Sequence, residues 1–222
     1  MEGRSIMTQR NRVSLAVVKR LPKYYRYLGM IAEKGIIRVS SQELSNITGL
    51  TASQIRQDLN HFGGFGQQGY GYNVEELKNE IQKIIGIDKS YKAIILGVGN
   101  IGQAILNYKG FRNSGFNIVG LFDKSEDLVG TDVNGLKVQH IDHLQEFMKK
   151  NKPEIALIAI PAEAAQEISD ELVEGGISAI WNFAPIDLKL PKNVVLENVH
   201  LDESLYTLIY YMNNLKDYPG TK

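Results

Sequence analysis

The residues best suited to chemistry are six that follow the apolar run 93–96: Gly97, Val98, Gly99, Asn100, Ile101 and Gly102. A glycine-rich turn between a strand and a helix is the phosphate loop of a dinucleotide site. Gly97 allows the tight turn, Gly99 lets the backbone approach a pyrophosphate, and Gly102 lets the helix pack closely on the strand. The N–H groups that open the helix then face the phosphates. Asp123 ends a second apolar run and stands 21 residues after Gly102, the spacing of a carboxylate that binds ribose hydroxyls. A carboxylate there favours NAD(H) over NADP(H), because it repels a 2′-phosphate, although the adjacent Lys124 counts against that choice.

Two further turns, Ile160-Pro161-Ala162 and Asn182-Phe183-Ala184-Pro185, end strand-like runs. Ligands of open α/β sheets sit outside the carboxyl ends of the strands, so Pro161 and Asn182 are expected to border the nicotinamide. Plain strand termination explains either turn equally well. Turnover would need a proton-transfer group beside the nicotinamide. His61 belongs to a helix in the first half. His140 and His143 have no carboxylate partner that spacing can demonstrate, and a surface or adenosine-side place suits them better. The one Tyr-x-x-x-Lys match, Tyr218 to Lys222, is broken by Pro219-Gly220. No residues remain for a separate substrate domain. The site is read as binding without turnover: no catalytic residue and no metal ligand is assigned.

The first half carries a different chemistry. Ser40 and Glu43 form a capping box that opens a helix through Leu44 and Ile47, which stops at Gly49. Thr51 and Gln54 form a second box, opening a helix through Ile55, Leu59 and Phe62. Two helices joined by a glycine turn predict a helix-turn-helix whose second helix enters the major groove. Its exposed face presents Ser53, Gln54, Arg56, Gln57 and Asn60, with Thr51 at its start. Arginine suits the guanine edge, and asparagine or glutamine the adenine edge. An ordinary solvated helix face is the bland alternative, against which the amide-rich composition argues. A glycine-rich hairpin follows at once, from Gly63 to Tyr72, and includes Gly66 and Gln67 as candidate DNA contacts. A ribbon after a recognition helix is a wing, able to reach the minor groove or phosphates. Upstream, Lys19, Arg20, Lys23 and Arg26 crowd a first helix, where Pro22 suits the first turn. They would supply sequence-independent attraction to phosphates.

These sites need elements to hold them. Before residue 88 the apolar spacing is helical. After it, strand runs at 93–96, 118–122, 155–160, 177–181 and 194–196 alternate with helical segments, the pattern of a parallel sheet with crossovers. Domains are expected at 1–86, 91–200 and 201–217, with the polar segment 86–90 as the join. The 222 residues have no net charge, yet residues 1–85 hold 12 Lys/Arg against 7 Asp/Glu, and the remainder 13 against 18. A basic half suits a polyanion, although charge alone leaves chance imbalance open. Without cysteine, disulfides, thiolate metal sites and thiol catalysis are excluded. No apolar run is long enough to span a bilayer, and the N-terminus lacks a signal peptide's apolar middle, so a soluble cytoplasmic protein is expected. Leu205, Leu208, Ile209, Met212 and Leu215 make an unusually apolar last helix. It covers either its own domain or a second subunit.

Taken together, the chain resembles the redox-sensing transcriptional repressors of the Rex family over about residues 15–215. The residues that carry the resemblance are Arg20 through Leu28, Val39 through Leu44, Ile55-Arg56-Gln57-Asp58-Leu59, and Phe62-Gly63 through Gly69-Tyr70-Gly71-Tyr72. In the second half they are Gly97 through Gly102, Phe122-Asp123, Ile160 through Ala165 and Asn182 through Pro185. The resemblance implies a winged helix-turn-helix domain, a Rossmann-type NAD(H) domain, and a C-terminal helix swapped between the subunits of a homodimer. It implies repression of fermentative and anaerobic NADH-reoxidising genes at pseudo-palindromic operator DNA, with release when NADH displaces NAD+. It also implies that Tyr108 lies near the nicotinamide and that Arg26 helps to lock the DNA-binding geometry. The alternative is an NAD-dependent oxidoreductase with an accessory DNA-binding-like domain, or a CoA-type nucleotide module. The chain departs from the family pattern at Gln57, where lysine is usual, at Gln67-Gln68, where a basic pair is common, and at His200, where the Arg26 partner can be aspartate.

Overall fold

The computed structural model of the chain describes residues 13–63, 66–67, 70–111 and 114–218. The chain divides into two compact units between Asp88 and Lys89.

The first unit opens with α1 (Leu15–Glu33), capped by Ser14, whose hydroxyl oxygen accepts the Val17 N–H. Pro22 therefore falls at the eighth helical residue, not in the first turn. The hydrogen bond it removes would have ended on the Val18 carbonyl, in a residue 47% exposed, where water is available. β1 (Arg38–Val39) precedes α2 (Ser41–Thr48), where the Ser40/Glu43 capping box forms in both directions and Gly49 ends the helix. At α3 (Ala52–Asn60) only the Thr51 half of the expected box forms, its hydroxyl accepting the Gln54 N–H. The hairpin of β2 (Gly66–Gln67) and β3 (Gly71–Asn73) gains β1 as a third strand, in the order β1-β3-β2. Gly71 sits at φ +70°, and a Cβ there would lie 2.6 Å from the Val39 carbonyl oxygen, so this crossing needs glycine. α4 (Val74–Ile85) closes the unit. Leu21, Tyr24 and Leu28 of α1, Leu44 of α2, Ile55 and Leu59 of α3 and Leu77 and Ile81 of α4 form one core. At roughly 25 cal/mol per Å2 of apolar surface, each such large side chain contributes about 1.5–3 kcal/mol.

The second unit is a twisted sheet. Its elements in chain order are β4 (Tyr91–Leu96), α5 (Asn100–Leu106), β5 (Phe116–Asp123), β6 (Asp132–Val133), β7 (Leu136–His140), α6 (Leu144–Asn151), β8 (Ile155–Ile158), α7 (Ala162–Glu174), β9 (Ala179–Asn182), β10 (Val195–Asn198) and α8 (Leu201–Asn213). The strand order is β10-β9-β8-β4-β5-β7-β6, parallel throughout except for β6. Without β6 this is the doubly wound order 3-2-1-4-5-6, with the switch point between β4 and β8. One face packs Ile94, Leu96, Phe122, Ala156 and Ile158 with residues of α6 and α7, including Leu144, Ala165 and Leu172. The other face packs Ile95, Val98, Leu121, Val138 and Leu157 and is flanked by half-buried Ile118, Trp181 and Phe183. No residue of α8 is buried. It therefore does not serve as a lid over its own sheet. No described helix is long and apolar enough to cross a membrane.

Candidate functional site

At the switch point, β4 runs into Gly97, which sits at φ +90°. Its N–H donates to the Phe122 carbonyl at 2.8 Å, while the Ala159 N–H donates to the Leu96 carbonyl at 2.8 Å, so three strand ends are joined here. A Cβ on Gly97 would overlap the Ala159 carbonyl oxygen, and one on Gly102 would overlap the Gly97 carbonyl oxygen. Gly99, by contrast, has open space where a side chain would stand, and it begins α5 with no side-chain cap. The three glycines thus divide the roles that their spacing predicts: turn, free approach and close packing.

Asp123 ends β5 beside this loop. Its carboxylate accepts the Val98 N–H at 2.8 Å and the Ser125 N–H at 2.9 Å, one through each oxygen. Two of about four lone-pair directions are thereby used, and the remainder are free to accept hydroxyl groups. A cleft of about 600 Å3 opens between them, lined by Gly97, Gly99, Asp123, Lys124, Pro161 and the apolar side chains of Ile141, Ile160 and Ile168. An apolar trough with one carboxylate and a bare backbone loop at its end suits a nucleoside diphosphate. Val98 and Gly102 lie buried beneath the loop, and Asn100 and Ile101 open α5 at its rim.

Two expected neighbours stand elsewhere. Tyr108 is 61% exposed and stacks edge-on against Phe111 at 4.9 Å. It lines a separate cleft of about 660 Å3 with Leu106, Phe111, Phe116, Ile118 and Leu136. The Asn182 side chain is fully buried, not turned to the cleft. Its amide donates toward the Ala184 and Ile186 carbonyls and Asn198, and its oxygen accepts the Ala184 N–H. It therefore shapes the turn after β9 and offers no side-chain atom to a ligand. His140 ends β7 directly beside Asp123 in register, and His143 precedes α6. His200 pairs with Asp187 at 3.2 Å. Ile141 and Ile168, missed in the sequence, are apolar residues whose place on the cleft depends on β7 and α7.

The α3 face is amphipathic as expected: Ser53, Arg56, Gln57 and Asn60 are exposed, Gln54 is half-buried, and Ile55 and Leu59 are buried. Thr51 spends its acceptor on the cap. Arg56 Nη1 donates to the Ser41 hydroxyl at 2.9 Å, which aims the arginine from α2. Gly66 and Gln67 pair with Tyr72 and Gly71 across the hairpin, while Gln68 lies outside the described residues. Lys19 and Arg26 are exposed and Lys23 is half-buried. Arg26 stands over the Tyr27 ring at 5.0 Å.

Arg20 departs from the expected role of a free cation. Its guanidinium grips Asp58 of α3, Nε to Oδ2 at 2.6 Å and Nη2 to Oδ1 at 2.7 Å, and Tyr24 donates its hydroxyl to Oδ2 at 2.7 Å. Burial pushes the Asp58 carboxyl up, but the Arg20 and Tyr24 hydrogen bonds and the Arg20 charge outweigh it and hold it below the usual carboxylate range. Burial, then the bond to Asp58, raises the Tyr24 phenol well above its ordinary value. The signal was present in the sequence: Asp58 occupies the apolar face between Ile55 and Leu59, and Arg20 and Tyr24 are four apart on one helix face.

Comparison with known proteins separates the two units in the same way. Residues 12–60 match the family described as putative DNA-binding protein N-terminus, and residues 88–186 match the CoA binding domain family. Over 207 residues the chain is 54% identical to the redox-sensing transcriptional repressor Rex of Thermoanaerobacter pseudethanolicus, covering 93% of this chain and 92% of that one. The chain belongs to the Rex family. Among solved Rex-family structures, RSP in complex with β-NAD+ and operator DNA is 52% identical, with a TM-score of 0.87 over 94% of this chain and 99% of that one. RSP in complex with β-NADH is 50% identical, with a TM-score of 0.85 over 93% and 97%. Members of the Rex family are named as transcriptional repressors, not as enzymes.

Proposed function

We propose that the chain is a transcriptional repressor that binds operator DNA as a homodimer and releases it when NADH replaces NAD+. The observation that carries this reading is the pairing, in one chain, of a bare glycine loop beside Asp123 with an exposed Ser53–Arg56–Gln57–Asn60 face on a helix-turn-helix. The complexes of RSP with β-NAD+, β-NADH and operator DNA support it.

In this reading, Asp123 takes the adenosine ribose, the Gly97–Gly102 loop takes the pyrophosphate, and Lys124 and Pro161 flank the dinucleotide. Tyr108 meets the nicotinamide only if its separate cleft is brought into use by a second subunit. Arg56, Gln57, Asn60, Ser53 and Gln54 read base edges, while Lys23, Thr51, Gly66 and Gln67 meet the backbone. The apolar α8 packs on the partner subunit, and the protein acts in the cytoplasm on fermentative genes. NADH and NAD+ differ by one charge and by ring planarity, so discrimination falls at the nicotinamide end. Effector and operator are linked by one coupling energy, typically ~1–3 kcal/mol, or about 5- to 150-fold in affinity.

The deciding experiment is a band-shift titration on a palindromic duplex selected from a random pool by the full-length protein. Saturating NADH should weaken binding relative to saturating NAD+. Equal affinity with both overturns the sensor reading, and turnover of an alcohol or hydroxy acid would favour an oxidoreductase.

A further inference from the structure

Asp58 lies on the same helix as the exposed Arg56, Gln57 and Asn60, yet its side chain is only 3% exposed. The apolar contacts that hold α3, through Ile55 and Leu59, are non-directional: greasy surfaces resist separation more than they resist sliding or turning. The Asp58 contacts are different. A guanidinium fork fixes both carboxylate oxygens in its own plane, and the Tyr24 hydroxyl adds a third donor from one turn further along α1. Three directional bonds from one helix therefore set the rotation of the other about its axis.

That rotation matters for reading DNA. At a radius of about 6 Å, a turn of roughly 10° moves a side-chain tip by about 1 Å. Hydrogen bonds to base edges weaken steeply over such a displacement. Phosphate attraction, which depends on charge more than on angle, hardly notices it.

We propose that the Arg20–Tyr24–Asp58 cluster sets the base specificity of α3, and that Arg20 is a positioning residue and not a phosphate contact. This rests on the reading of α3 as the helix that enters the major groove. The cluster separates two properties of the DNA domain: how tightly it holds any duplex and how well it tells one duplex from another.

The test uses the full-length protein with NAD+, its selected duplex, and a scrambled duplex of equal length, across a salt series. Arg20→Gln, Asp58→Asn and Tyr24→Phe are compared with the parent protein, with thermal unfolding recorded for each. The expected result is a fall of ten-fold or more in the ratio of selected to scrambled affinity for Arg20→Gln and Asp58→Asn. Tyr24→Phe, which keeps the ion pair and should fold, should show a smaller fall of a few-fold. For all three the scrambled affinity and the salt slope stay as in the parent.

A phosphate role for Arg20 predicts an equal loss on both duplexes and a salt slope smaller by about one in Arg20→Gln, which overturns the proposal. A purely structural role lowers the melting temperature with the ratio unchanged in protein that remains folded, which also overturns it. Should the parent show no preference for its selected duplex, the reading of α3 itself fails, an outcome visible before any variant is compared.

Discussion

Replacing Asp123 by asparagine should separate the structural and ligand-binding duties of this carboxylate. In the folded chain it accepts one N–H from Val98 and one from Ser125 through different oxygens. Asparagine has one acceptor oxygen, so one N–H loses its partner and meets an amide donor instead. Leaving a partly buried N–H unpaired costs about 1–2 kcal/mol, toward the low end of the fully buried case. The proposed ribose contact would be a second loss. A hydrogen bond to a charged group contributes ~1.5–3 kcal/mol, and each ~1.4 kcal/mol is ten-fold in affinity. NADH affinity should therefore fall by about ten- to a hundred-fold, while removal of the negative charge narrows the gap between NADH and NADPH. NADH fluorescence titration measures the affinities and thermal unfolding the stability. Unchanged NADH affinity with the expected loss of stability would show that Asp123 only braces the loop. Equal losses for NADH and NADPH would refute the charge argument.

Three further outcomes follow from the same geometry. Gly97→Ala must place a methyl group against the Ala159 carbonyl at φ +90°, so it should destabilise the second unit by about 2 kcal/mol or more and abolish NADH binding, as seen by calorimetry. Asp58→Ala breaks a buried ion pair and should cost ~3–5 kcal/mol at pH 7. Because the folded Asp58 carboxyl lies below its unfolded value, the stability it supplies is present above the unfolded pKa of about 4 and is lost as pH falls through the folded value. The difference between parent and variant in urea unfolding should accordingly shrink with acid, and a constant difference would contradict the assignment. Finally, Leu205→Asp with Leu208→Asp alters residues that are 51% and 65% exposed in the single chain. If α8 holds the proposed dimer together, sedimentation should show a monomer with the cooperative unfolding of each unit retained.

The parts of this molecule that sequence reveals are those whose causes are local. Ser40 and Glu43 satisfy each other within one turn, and the glycine loop is specified by residues within six positions. Strand β7 is not evident in the sequence because it has five residues, lies second from the edge of the sheet beside the short β6, and turns only Leu136 and Val138 inward, too few for alternation to stand out. Asn182 is expected at the ligand because its turn follows the carboxyl end of a strand. The pleat turns it inward, where Ala184, Ile186 and Asn198 supply its partners. In the sequence Asp58 is an acid on an apolar stripe, but its role depends on Arg20 and Tyr24, more than thirty residues away. Pro22 marked a helix but not its start, since one missing bond on a partly exposed turn is tolerated.

Gly97 also constrains how this site can change over generations. Every single-base substitution in a glycine codon that changes the amino acid installs a β-carbon, and here any β-carbon meets the Ala159 carbonyl. The position therefore has no neighbouring sequence that preserves the junction of three strand ends. Asp123 is different: single-base changes reach asparagine, alanine and glutamate, none of which adds a β-carbon where there was none. Substitution in the proposed nucleotide pocket is thus accommodated more readily at Asp123 than at Gly97.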